Sequence, residues 1–305
     1  MIKLKKKISR YLKIAAVALG LTLLVSACAK PPKYNSHKKL GSQINYTITG
    51  IEAGAGITDS TETALSEYHL KKANWQIMPS STAAMVSTLD KAIKNKEPIV
   101  VTGWQPHWMF AKYPLKFLKD PKHAYGKGES MRTLTRTGFK QDNPGAEKFL
   151  ENFHWSIELS NPLMMKINNG MNKQKAVDQF IKDHPKQVKE WLKGVPDGQG
   201  KKIKIGYTPY DYEVAATTLV TTLLKQKGYD ASMQQLDVGI MWSAIASGKL
   251  DATVTVELPV THKLYAKKYK GKYVEVRKNL DNAKTGLAVP TYMKNINTID
   301  DLKNK

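Results

Sequence analysis

Two groups of residues in this chain are placed to bind or react. Aromatic side chains gather in Thr102-Gly103-Trp104-Gln105-Pro106-His107-Trp108-Met109-Phe110, directly after the apolar run Pro98-Ile99-Val100-Val101. Such a run reads as a buried strand, and the end of a strand is where α/β sheets present ligand-binding groups. An indole face attracts a cation, by roughly 2 kcal/mol or more when both are desolvated. A tryptophan-rich core corner accounts for the same residues, since large aromatics also fill cores. The second group is polar. Glu257 and His262 flank Leu258-Pro259-Val260-Thr261 after a strand, which is acid/base chemistry without a serine or cysteine elbow beside it.

Gly54-Ala55-Gly56 has the opening of a dinucleotide loop, but Asp59 stands at the third glycine position and would repel a pyrophosphate. The same glycines ahead of a helix N-terminus suit a small anion such as a carboxylate, and equally suit a tight strand-to-helix turn. His69, His107, His123, His154 and His184 fall in separate segments without metal spacing, so neither a metal nor a cofactor is expected.

These residues need elements to hold them, and the chain alternates strand and helix. Ile44, Tyr46 and Ile48 alternate as a strand that leads through Ile51 to the glycines, and Asp59 or Ser60 is placed to cap a helix to about Leu70. Ser80-Ser81-Thr82 opens a second helix with Met85, Leu89 and Ile93 on one stripe. From about Gly145 to Val195 the pattern is helical: 149–155, 161–167, 173–184 and 187–192. A second α/β unit opens with the strand Ile203, Ile205, Tyr207 and a helix over 213–227 that stops at Gly228. Strands over 232–236 and 250–254 follow, with a helix over 237–247 between them. The tail carries Leu287-Ala288-Val289-Pro290 and Ile299-Asp300-Asp301-Leu302.

The N-terminus reads as an export signal. Lys3, Lys5, Lys6, Lys7, Arg10 and Lys13 precede the apolar run Ile14 to Val25, which is too short for a membrane span and suits a signal core. Leu24-Val25-Ser26-Ala27-Cys28 resembles a bacterial lipobox, and Cys28 is the only cysteine, which excludes an internal disulfide. Residues 1–27 are therefore expected as signal peptide and 28–43 as a lipidated tether. Loss of the six signal cations lowers the formal charge from +22 to +16. On an exported chain whose cations are mostly lysine, such a charge fits an anionic envelope rather than nucleic acid.

Gly50 to Ile57, Pro98 to Phe110, Gly239-Ile240-Met241-Trp242-Ser243-Ala244-Ile245-Ala246-Ser247-Gly248, Leu258-Pro259-Val260-Thr261-His262 and Gly286 to Pro290 together resemble the glycine betaine-binding lipoproteins of the OpuA type. The resemblance extends over nearly everything after the tether. It implies an α/β, two-lobe type II periplasmic-binding-protein fold in circularly permuted order. The lobes are expected over 44–139 and 140–305, with the C-terminal tail able to reach back to the first.

The resemblance also implies a site in which tryptophans enclose a quaternary ammonium group. Trp104 matches one of them, while the second falls on Tyr210 and the third on Glu257, a carboxyl in place of an aromatic wall. Gly56 and Ile57 match the backbone donors to the ligand carboxylate, and His262 matches the histidine beside them. The implied protein is a monomeric, non-enzymatic binding protein of an ABC importer, lipid-anchored on the outer face of the cell membrane. It would bind glycine betaine, proline betaine, carnitine or choline and pass it to a permease and its ATPase. An exported hydrolase using Glu257 and His262, or a receptor of this fold that feeds no transporter, are the alternatives.

Overall fold

The computed structural model describes residues 32–304, so the expected signal peptide and Cys28 lie outside the described residues. Nine strands form one hydrogen-bonded network in the order β2-β1-β3-β9-β5-β8-β6-β7, with β4 added on β9. The first part holds β1 (Thr47–Thr49), β2 (Gln76–Met78), β3 (Val101–Gln105) and β4 (Leu115–Phe117). The second holds β5 (Glu129–Arg136), β6 (Lys202–Tyr207), β7 (Asp230–Gln235) and β8 (Ala252–Leu258). The two meet in β9 (Tyr273–Pro290), whose 18 residues belong to both. Its first half pairs with β5 from Tyr273 to Ala283, and its second half pairs with β3 and β4 from Lys284 to Pro290.

The parallel pairs β1–β2, β1–β3, β6–β7 and β6–β8 are each built around a crossover helix, as α/β sheets require. Helix α1 (Gly56–Glu67) joins β1 to β2, and α2 (Thr82–Asn95) joins β2 to β3. Ser81 caps α2 through its hydroxyl, which accepts the Ala84 N–H at 3.1 Å, and Met85, Leu89 and Ala92 form the buried stripe. In the second part α3 (Pro144–Asn152) packs on β9, while α4 (Ile157–Asn168) and α5 (Lys173–Asp183) pack beside α6 (Asp211–Gln226). Helix α6 buries nearly every face, and α7 (Val238–Ala246) completes the β7–β8 crossover. Among the described residues no helix is long and apolar enough to cross a membrane.

Several boundaries differ from the sequence reading, each for a local reason. Helix α4 starts at Ile157, before Asn161, because the Ser156 hydroxyl caps it and Pro162 is accommodated inside. Helix α1 starts at Gly56, ahead of Asp59, on an N-cap residue, Ala55, whose side chain offers no hydrogen bond. Ile44 and Tyr46 are not in a strand: Asn45 and Tyr46 have φ of 50° and 52°, and β1 begins only at Thr47. Strand β5 and the first half of β9 were absent from the sequence reading. Both are rich in charged residues, and β5 is buried on both faces, so neither shows the two-residue alternation of a half-exposed strand. Because β5 pairs with β8 and β9, the chain enters the second sheet at Glu129, ahead of residue 139, and returns to the first at Lys284.

The segment read as tether is partly packed. The Tyr34 N–H donates to the Lys96 carbonyl at 2.8 Å, its hydroxyl donates to Asn295 Oδ1, and Leu40 and Gly41 are buried. The Tyr46 ring lies over Gly41 and meets Trp75 edge-on at 5.9 Å, so a Cβ at Gly41 would sit 2.3 Å from ring atoms. Gly41→Ala should therefore lower stability by about 1–3 kcal/mol in chemical denaturation, as overpacking does. A residue in a free tether would show no change.

Candidate functional site

The C-terminal ends of β1, β3, β6 and β8 converge on one cavity of about 280 Å³ lined from both halves of the chain. This is the position at which open α/β sheets hold ligands. All six residues singled out from the sequence, Gly56, Ile57, Trp104, Tyr210, Glu257 and His262, line it.

The first-lobe wall is made by the start of α1 and the end of β3. Gly56 and Ile57 are the first two helical residues, and their N–H groups have no carbonyl one turn back within the helix. The helix dipole adds partial positive charge at the same place. A Cβ on Gly56 would lie 3.0 Å from Thr261 Cγ2 and 3.1 Å from Thr261 O, so the two halves of the chain approach closely here. Trp104 is half-buried in β3 opposite Thr285 and stands edge-on to His107 at 4.4 Å.

The two tryptophans of the β3 loop are used differently. Trp108 is buried and does not line the cavity, and its Nε1–H donates to Asp211 Oδ2 at 2.6 Å across the cleft. His107 accepts the Met109 N–H on Nδ1, and its Nε2 lies 3.4 Å from the same Asp211 oxygen without a hydrogen bond. Burial lowers the His107 pKa to about 3, so the ring is neutral. Burial raises the Asp211 pKa and the Trp108 hydrogen bond lowers it. Trp104 thus fits the binding-site reading of this loop, and Trp108 fits the core-corner reading.

The second-lobe wall is acidic and aromatic. Tyr210, Tyr212 and Glu213 come from the start of α6, and Glu257, Thr261, His262 and Tyr265 from β8 and the turn beyond it. Glu129 holds that turn: its carboxylate accepts the Val260 N–H at 3.3 Å, the Thr261 N–H at 2.8 Å and the Thr261 hydroxyl at 2.7 Å. His262 Nδ1 accepts the Glu257 N–H at 3.2 Å, which assigns the ring proton to Nε2. Burial depresses the His262 pKa to about 4, so at neutral pH it is an uncharged donor. The Tyr210 hydroxyl is pushed up to about 12 by burial and by Glu52, Glu213 and Glu257. Burial raises the Glu257 carboxyl well above its ordinary range, Glu129 and Glu213 raise it further, and a Thr261 hydrogen bond opposes them.

Some of these groups were not found from the sequence. Glu129 lies in a strand that the pattern did not reveal, and Glu213 is only two residues beyond the Tyr207 to Asp211 segment. The hydrogen bond between Glu257 and His262 uses the Glu257 backbone, not its carboxyl, which is not the carboxylate–imidazole link of an acid/base dyad. Among the described residues no cluster of His, Cys, Asp and Glu could hold a metal ion.

Residues 25–183 and 201–305 match the family described as the substrate binding domain of ABC-type glycine betaine transport systems. The chain is 47% identical over 289 residues to the glycine betaine/carnitine transport binding protein GbuC of Listeria monocytogenes, covering 94% of this chain and 96% of that one. Lactococcal OpuAC, solved in a closed form with glycine betaine, is 43% identical over 49% of this chain and 58% of its own, with a TM-score of 0.44. The glycine betaine, L-proline-binding protein ProX of Borrelia burgdorferi is 36% identical over 54% of this chain and 62% of its own, with a TM-score of 0.47. The matched part is thus less than two thirds of either solved chain.

Removing the Glu129 carboxylate frees two backbone N–H groups and a hydroxyl in the turn that carries His262. Glu129→Ala should lower the stability of the ligand-free protein by at least about 2 kcal/mol in denaturant titrations, the scale of hydrogen bonds to a charged group. An unchanged midpoint and slope would show that the turn holds itself.

Proposed function

This chain belongs to the family of substrate-binding domains of ABC-type glycine betaine transport systems, and from that premise we propose that it binds glycine betaine or a related methylated ammonium compound outside the cell. The observation that carries the reading is the mixed lining of the cavity, in which backbone N–H donors and a neutral histidine share one space with aromatic faces and carboxyl groups. A ligand carboxylate is received by the N–H groups of Gly56 and Ile57 and by His262 Nε2–H. A methylated nitrogen has no N–H to satisfy, so it rests against the faces of Trp104 and Tyr210, with Glu257 as the third wall. Closing the lobes excludes water and strengthens the electrostatics at both ends. Choline lacks the carboxylate and carnitine carries it on a longer chain, and a carboxyl at position 257 admits net cations more readily than three indoles would.

The protein performs no chemistry in this reading. It delivers its ligand to a permease driven by a separate ATPase. The hydrolase alternative has no serine or cysteine in the cavity lining, the Thr261 hydroxyl is engaged by Glu129, and the hydrogen bond between Glu257 and His262 does not join carboxyl to imidazole. Anchorage is through acyl chains on Cys28 at the outer face of the membrane, since more than one chain is needed for stable attachment. Cys28→Ala should move the protein from the detergent phase to the medium, or leave it unprocessed. Unaltered processing and partition would remove the anchor from this account.

The ligand is tested by thermal shift and calorimetry against a panel of betaines and amines, because a ligand stabilises the folded state by RT ln(1 + [L]/Kd). Glycine betaine, carnitine or choline should raise Tm, and Trp104→Ala should weaken binding by about 1–3 kcal/mol, with phenylalanine recovering part. An unchanged affinity in folded Trp104→Ala would place the cation elsewhere.

A further inference from the structure

Glu213 has no part in the reading above, yet it is a buried carboxyl in the wall of the same cavity. It stands in the first turn of α6, and its Oε2 accepts the Thr208 N–H at 2.7 Å, the Thr208 hydroxyl and the Thr255 hydroxyl at 3.2 Å. All three bonds converge on that one oxygen. Among the described residues Oε1 has no hydrogen-bond partner. Glu257 lines the same cavity from the end of β8. Two carboxyl groups therefore face one cavity of about 280 Å³. Full ionisation of both would leave two uncompensated negative charges there.

The neighbouring groups do not supply that compensation. The Glu129 carboxylate is occupied by the 260–261 turn and adds negative charge. Tyr210 and Tyr212 have hydroxyls pushed upward by burial and are neutral. His262 is neutral above its value of about 4, and Asp59 on the first-lobe side is acidic. Lys268 is the one cation among the lining residues.

We propose that Glu213 and Glu257 form one acidic pair on the cavity wall, and that the cavity takes up the cationic head of its ligand in exchange for a proton. The step balances as the protonated pair plus ligand cation giving the ionised pair with ligand cation bound, plus a proton released to solvent. It rests on the ligand reading above and extends it by naming Glu213 and the coupled ion. The ligand class is an ammonium compound whose positive end lies against this wall, with or without a carboxylate at the other end.

The direction of the pH effect follows. Burial lifts the Glu213 carboxyl to about 7 against its hydrogen bonds, and Glu257 is also raised, so the empty pair is partly protonated at neutral pH. A bound cation favours the ionised form and lowers both values. Binding therefore tightens as pH rises toward the empty-state values and levels off above them. His262 stays neutral from pH 5.5 to 8 and does not contribute.

The test is calorimetric titration of the wild-type protein with glycine betaine and with choline at pH 7, in phosphate and in Tris. The ionisation enthalpies of these buffers differ, so the difference in heat counts protons. The expected result is release of on the order of half to one proton per ligand bound, with Kd falling by up to about tenfold per pH unit between pH 5.5 and 7. Glu213→Gln should reduce the proton count and flatten the pH dependence. Wild-type data decide the matter even if that variant does not fold. Binding with equal heats in both buffers and a flat Kd overturns the acidic pair and leaves the ligand reading standing. Absence of binding by either ligand overturns both.

Discussion

Strand β9 is hydrogen-bonded to β5 over its first half and to β3 and β4 over its second. A strand cannot change its pairing without breaking a ladder of backbone bonds, so both halves of the chain are referenced to one rod. Thr285, opposite Trp104 in that ladder, is itself part of the cavity wall. The cavity lies where the parallel strands on either side of this rod end. Its shape depends on the register of β9 more than on any single lining residue.

Within that frame, the two walls are made by different physics. The first-lobe wall uses backbone: a helix start whose leading N–H groups have no internal acceptor, with glycine at the point of closest approach to Thr261. The second-lobe wall uses side chains whose charge is set by neighbours. Three glutamates there are held in three ways. Glu129 is surrounded by donors in the 260–261 turn, Glu213 has donors on one oxygen only, and burial together with Glu129 and Glu213 disfavours charge on Glu257. His262 is kept uncharged by burial and oriented by the backbone N–H of Glu257. A wall of this kind differs from an all-indole cage because it carries ionisable carboxyl groups.

The link between Trp108 and Asp211 joins the two halves at a point away from the cavity lining, since neither residue is part of it. Its donor is four residues from Trp104 in the chain, and its acceptor sits next to Tyr210. Any movement that separates the lobes must break this bond and also part the two aromatic faces proposed to hold the ligand.

Much of this was legible in the sequence because it is local. The run ending at Val101, the glycines before α1, the Ser81 cap and the turn from Leu258 to His262 each follow from neighbours within a few residues, and the six candidate residues sit on such segments. The α/β alternation and the family resemblance follow from the same short motifs in order. Whatever depended on residues distant in the chain was not legible. β5 and the first half of β9 pair with each other, and β5 also with β8, across more than a hundred residues of chain. Trp104 and Trp108 are equivalent in the sequence, and only the position of Asp211, 103 residues beyond Trp108, separates a cavity-facing indole from a buried one. Glu213 and Glu257 look like ordinary charged residues until the fold buries them on one wall. The charge of a carboxyl is decided by the solvent and the neighbours it retains, and those are properties of the tertiary structure.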